Sequence, residues 1–133
     1  MSEVSFYDAV GGHATFERLV AEFYRGVADD AELRALYPES DLAPAATRLR
    51  LFLEQYWGGP TTYSDERGHP RLRMRHQPYA VTPAQRDRWL THMMAAVDAI
   101  ALAPEHDATL REYLARAAYS LVNTPEEAPP TDA

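Results

Sequence analysis

Apolar residues in this chain return with a helical period over four long stretches, and nothing between them reads as a strand of useful length. Phe16, Leu19, Val20, Phe23, Tyr24 and Val27 stand at spacings of 3, 4, 7, 8 and 11, which gathers them on one face of a helix. Ala45, Leu49, Phe52, Leu53 and Tyr56 form a second stripe that stops at Gly58-Gly59-Pro60, a strong helix terminator. A third helix opens at Thr82-Pro83-Ala84-Gln85: Thr82 suits the cap, Pro83 the first helical position and Gln85 the reciprocal half of a capping box. Trp89, Leu90, Met93, Met94, Val97 and Ile100 lie along it. The fourth stripe, Leu110, Tyr113, Leu114, Ala117, Ala118, Leu121 and Val122, ends at Asn123-Thr124-Pro125. Four amphipathic helices without strands predict an all-α domain.

The chain has 133 residues, enough for one domain with a substantial core. That domain is expected over residues 1–124, followed by an acidic, proline-containing tail at 125–133 whose composition predicts disorder. Hydrophobic residues make up 46% and charged residues 25%, the balance of a soluble globular protein. The net charge of -7 argues against nucleic acid or an anionic membrane as the main partner. With no cysteine, disulfides, thiolate metal sites and cysteine nucleophiles are excluded, and a reducing cytoplasm is a suitable location. The first residues show no basic region followed by an apolar core, so no signal peptide is read. No apolar run approaches the ~20 residues of a membrane span.

Between Trp57 and Val81 runs a Pro/Gly/Arg-rich segment, and loops of this length in a compact domain are usually functional. Its stretch RGHPRLRMRHQPY, residues 67–79, packs four arginines, two histidines and two prolines into thirteen positions. Read as a nucleic-acid site, the arginines would meet phosphates, but no basic stripe continues onto a neighbouring helix. Read as a zinc site, His69 and His76 are too far apart for one helical turn, and only Asp65 and Glu66 stand close by. In a third reading His76 points inward, with Met74 and Tyr79 lining an apolar pocket and Arg75 beside it. A single neutral imidazole offered to an apolar cavity is what haem iron needs on its proximal side. A lone loop histidine is more often an ordinary polar residue, so the stretch alone leaves the three readings open.

A haem pocket also needs an apolar wall and donors for a bound ligand. Leu49, Phe52, Leu53 and Met93 are available for the wall. Tyr24, Tyr37 and Trp89 are the candidate donors, since a buried phenol or indole seeks a hydrogen-bond partner. Aromatic residues on helix stripes are also ordinary core. A cofactor-free helical interaction domain therefore stays open as the alternative.

The sequence resembles the group II truncated haemoglobins. The resemblance is carried by FYDAVGG near the start, FY at 23–24, LYPE at 36–39, RLRLFLEQYWGGP at 48–60, YSDERGHPRLRMRHQPY at 63–79, WL at 89–90 and AAYSLVN at 117–123. It covers essentially residues 5–124. It implies a shortened globin fold, a two-over-two helical sandwich around haem b, with a loop where longer globins have a further helix. It implies His76 as the proximal iron ligand, Tyr24, Tyr37 and Trp89 as distal ligand-stabilising residues, and Leu49, Phe52 and Leu53 as the apolar distal wall. Arg75 would pair with a haem propionate, and Tyr79 and Met93 would add to the pocket. Ala45 falls where many globins carry a distal histidine.

With His76 on one side of the iron, the sixth position is left for O2 and other diatomic ligands. Dioxygen there carries partial negative charge, so two or three donors predict slow release, which suits oxygen transport poorly. The space beside Ala45 and the nearby phenols suggest peroxidase-like or nitric-oxide-detoxifying chemistry, with H2O2 as a further ligand and an unidentified electron donor. Exposed apolar positions on the third and fourth helices would support a homodimer. His13, His69, His92 and His106 are expected to be exposed or structural.

Overall fold

The computed structural model describes residues 4–38, 40–71, 75–76 and 81–123, and all regular secondary structure among them is helical. The long helices are those the apolar stripes predict: α2 (His13–Asp29), α4 (Ala43–Tyr56), α6 (Pro83–Ile100) and α7 (Pro104–Ser120). Three short ones accompany them: α1 (Phe6–Ala9), α3 (Ala31–Arg34) and α5 (Thr62–Arg67). Helix α2 packs on both α4 and α6, and α6 packs on α7. The pairs α2–α4 and α6–α7 form the two layers of a two-over-two sandwich. Between them lies one core, with Phe16, Leu19, Phe23 and Val27 of α2 meeting Leu53, Met93, Val97, Leu110 and Leu114.

Side-chain caps set three of the helix starts. Ser5 Oγ accepts from the Asp8 N–H at 3.1 Å to cap α1, and Asp30 Oδ1 accepts from the Leu33 N–H at 3.2 Å to cap α3. Thr82 Oγ1 accepts from the Gln85 N–H at 3.1 Å, with Pro83 opening α6. The other half of the expected capping box is not made. The Gln85 side chain instead borders the large cavity described below, and its Oε1 is buried without a hydrogen-bond partner.

The described part of the segment after Trp57 contains a helix that its composition does not predict. Helix α5 forms within it because Gln55 holds its first turn from α4: Gln55 Nε2 donates to Ser64 Oγ at 2.7 Å, and the Ser64 N–H donates to Gln55 Oε1 at 2.9 Å. Tyr63 is buried as a result. Arg75 and His76 are helical as well. The tail expected at 125–133 lies outside the described residues.

Gly59 marks a close approach between α1 and the end of α4. A Cβ built there would sit 2.6 Å from Tyr7 Cδ1 and 2.8 Å from the Glu54 carbonyl oxygen, which itself accepts from the Gly59 N–H at 2.7 Å. Gly59→Ala should therefore destabilise the fold by about 1–3 kcal/mol, the scale of overpacking. Chemical denaturation would read this as a lower midpoint at unchanged slope, and an unchanged midpoint would refute it. Beside this contact the buried Glu54 carboxylate is paired on both oxygens, with His13 Nδ1 at 2.7 Å and Arg50 Nη1 at 2.9 Å, as a buried charge requires.

Candidate functional site

The sandwich encloses a cavity of about 490 Å³, inside the ~300–1,000 Å³ of small-molecule and cofactor sites. Helix α4 supplies Ala45, Leu49, Phe52 and Leu53. The α2–α3 corner supplies Tyr24, Leu33, Leu36 and Tyr37, and α6 brings Gln85, Arg86 and Trp89. Helix α7 adds Tyr113, Leu114, Ala117 and Ala118, while Tyr63, Arg67, Arg75 and His76 come from the segment after α4. His76 is the one histidine among the described lining residues.

The structure thus brings Tyr24, Tyr37, Trp89, Leu49, Phe52, Leu53, Arg75 and His76 to one cavity. Met93 departs from expectation. Fully buried, it belongs to the core under the cavity and is absent from the lining, because the helical turn that turns Trp89 inward aims Met93 at the α2 stripe. Tyr79 and Met74 lie outside the described residues.

Tyr24 and Tyr37 form a hydrogen-bonded pair. Their rings meet edge to face at 5.7 Å. A hydroxyl that accepts one bond still has its own hydrogen to donate. Burial pushes the Tyr37 phenol above its ordinary pKa, against the opposing effects of the Tyr24 bond and the Arg48 charge. It is therefore a neutral donor at ordinary pH. The turn that carries Tyr37 is held by Arg34, which donates to the carbonyls of Tyr37 and Ser40, both at 3.1 Å. Trp89 packs its ring 5.2 Å from Phe23.

One charged cluster ties the donors' supporting elements together. Asp30, at the α2–α3 junction, bonds His92 Nε2 at 2.9 Å and Arg88 Nη1 at 3.0 Å, both from α6. The His92 bond, the Leu33 N–H and Arg88 hold the Asp30 carboxyl below its usual range. Gly26 makes room for this imidazole, since a Cβ there would lie 2.4 Å from His92 Nδ1. His92 thus has a structural place, away from the lining of the large cavity.

On the other side, Asn123 clamps the chain around His76. Its Nδ2 donates to the His76 carbonyl at 3.2 Å, and its Oδ1 and N–H pair with the Val81 N–H at 2.9 Å and the Val81 carbonyl at 3.0 Å. Sequence reasoning missed this residue, which reads there only as a helix terminator. Arg75 is occupied differently from expectation. Its guanidinium donates to the carbonyls of Pro70 at 2.7 Å, Arg67 at 2.8 Å and His69 at 3.4 Å, and stands over the Tyr63 ring. It orders the segment leading to His76. Arg48, which the sequence did not single out, also borders the cavity and acts electrostatically on Tyr37.

These residues fit haem b. A flat, largely apolar macrocycle with two carboxylates calls for apolar walls, one imidazole and cations at the border, and the cavity offers all three. A helical sandwich with this cavity belongs to the haem-binding globin class. The chain matches the bacterial-like globin family over residues 5–123. It is 41% identical over 108 residues to group 2 truncated hemoglobin YjbI of Bacillus subtilis, covering 81% of this chain and 77% of that one. Among solved structures, a thermostable hemoglobin from the actinobacterium Thermobifida fusca superposes with TM-score 0.91 at 63% identity, over 92% of this chain and 100% of that chain. The truncated oxygen-avid haemoglobin from Bacillus subtilis superposes with TM-score 0.85 at 38% identity, over 90% and 100%. The chain belongs to the bacterial-like globin family and, within it, to the group II truncated haemoglobins. Its cofactor is haem b, and it binds small gaseous ligands such as O2. This membership removes the alternative of a cofactor-free interaction domain.

Proposed function

We propose that the protein holds O2 tightly, releases it slowly, and uses the same cavity for redox chemistry on small oxidants. The observation that carries this reading is the Tyr24–Tyr37 pair set with Trp89 in a cavity whose α4 wall is the apolar Leu49, Phe52 and Leu53. Haem b, when bound, would supply the iron that takes the ligand, and His76 would be the residue to hold it. Tyr37 and Trp89 would be the donors toward a bound ligand, with Tyr24 acting through Tyr37. Each donor is worth about 0.5–1.5 kcal/mol. The apolar wall keeps water from competing for those donors. The oxygen-avid B. subtilis relative supports the same reading. Arg48 and Arg86 are suited to the haem carboxylates, with Arg75 contributing chiefly through the loop it orders.

The small side chain of Ala45 leaves space beside the donors, which favours peroxide over nitric oxide as the redox substrate. Reducing H2O2 breaks its O–O bond and consumes two electrons and two protons to give two waters. The neutral phenols can supply protons at that point. No described helix is long and apolar enough to cross a membrane, and the cysteine-free chain suits the reducing cytoplasm we propose. The test is oxidation of a small phenolic donor by the haem-loaded protein with micromolar H2O2, compared with free haem. Faster turnover than free haem is expected. A rate no higher than that of free haem would overturn the peroxide reading and leave O2 binding standing.

A further inference from the structure

The cavity has an aromatic connection to the surface. Tyr113 lines the cavity from α7 and is 8% exposed. Its ring stacks on Tyr56 of α4, with centroids 4.1 Å apart and planes inclined by 27°. Tyr56 is 50% exposed, one of the few large apolar side chains among the described residues that face solvent. The path from cavity wall to water therefore crosses a single ring-to-ring contact. We propose that Tyr56, reached through Tyr113, is an electron port at which reductants too large to enter the cavity are oxidised.

The proposal rests on the peroxide reading above and names its outer substrates: electron-rich phenols and other one-electron donors that meet the protein surface. H2O2 is reduced to two waters, and this takes two electrons and two protons. Two donor molecules supply them at Tyr56, one electron and one proton each. In each transfer Tyr56 gives an electron inward through the Tyr113 ring and loses its phenolic proton to water. It then recovers both from the donor.

The surroundings favour Tyr56 as the residue that rests oxidised. A phenol gives up an electron readily only where its proton can leave, and Tyr56 stands in water. Tyr113 lacks that outlet: burial first, and the nearby Tyr56 hydroxyl second, push its phenol up to about 12, so it keeps its proton and serves as the bridge. Trp57 also touches both rings, at 5.0 and 5.3 Å, but its Nε1 is buried without an acceptor. The indole cannot shed its proton either, and the oxidising equivalent passes it by. Tyr119 provides an internal control. It is 58% exposed, yet its ring contact is with Arg86 at 4.1 Å, and a guanidinium does not carry the charge.

The experiment treats the haem-loaded protein with H2O2 in the presence of a nitroso spin trap and locates the adducts by peptide mass spectrometry. Adduct is expected on Tyr56 and not on Tyr119, to be lost in Tyr56→Phe and reduced to the Tyr119 level in Tyr113→Leu. Equal labelling of Tyr56 and Tyr119 would overturn the port, as would full labelling of Tyr56 in Tyr113→Leu. Should Tyr113→Leu fail to fold, the parent and Tyr56→Phe still decide: a radical signal by electron paramagnetic resonance that is the same in both overturns the proposal. The Soret band recorded in the same mixture separates the two readings. A band that responds to peroxide while Tyr56 stays unlabelled sinks the port alone, and a band that does not respond sinks both.

Discussion

His76→Ala should yield a folded protein that no longer retains haem. His76 is the one histidine among the described lining residues, so no second imidazole in that lining can replace it. Its neighbours fix where the ring is offered. Asn123 bonds its carbonyl, and Arg75 bonds three carbonyls of the preceding turn. All of these bonds use backbone atoms or other side chains, so removing the imidazole leaves the mount intact. The expected result is near-normal helical circular dichroism with the Soret band lost on gel filtration. Added imidazole should restore haem binding by filling the space the side chain vacates. A variant that kept haem with an unaltered ferric spectrum would show that another group holds the iron.

The site was legible in the sequence to the extent that it lies on long helices or in distinctive local motifs. The 3.6-residue period placed Tyr24, Leu49, Phe52, Leu53 and Trp89 on inward faces, and the resemblance implied a role for His76, which the structure brings to the same cavity. Periodicity did not separate the cavity wall from the core beneath it. Trp89 and Met93 share one stripe, yet only Trp89 reaches the cavity, because a stripe fixes the inward direction and not the depth of the opposing surface. The one-turn helices α1 and α3 were invisible because four residues are too few to show a period. Helix α5 was missed for a different reason. Its order comes from Gln55, nine positions before Ser64, and a side-chain contact of that kind leaves no local pattern. Arg75 shows the same limit in reverse: its type announced a cation, but its carbonyl partners exist only once the turn has formed.

Removing the distal donors should speed O2 release, and the hydrogen bond between the two tyrosines dictates an unequal result. Trp89→Phe and Tyr37→Phe should each raise the dissociation rate roughly two- to tenfold, the equivalent of about 0.5–1.5 kcal/mol. Tyr24 and Tyr37 share a hydrogen bond, and in our reading Tyr24 spends its one hydrogen on it, so that its main contribution is to polarise the Tyr37 hydroxyl. Tyr24→Phe should therefore act more weakly. The Tyr24→Phe/Tyr37→Phe double variant should release O2 little faster than Tyr37→Phe alone, because the two act as one unit. Trp89, which stands on a separate helix, should combine with Tyr37 nearly additively. The pH dependence follows from the same pair. Because burial raises the Tyr37 pKa above its ordinary 10.0, its proton is held throughout the physiological range and is lost only as pH climbs through that elevated value. Slow release should thus be flat from neutral pH to about 10, then give way on the alkaline side, and Tyr37→Phe should lack that alkaline step. Stopped-flow displacement of O2 by carbon monoxide across the three single and two double variants measures all of this. Equal effects of Tyr24→Phe and Tyr37→Phe that add in the double variant would mean that both phenols reach the ligand independently, and the relay described here would be wrong.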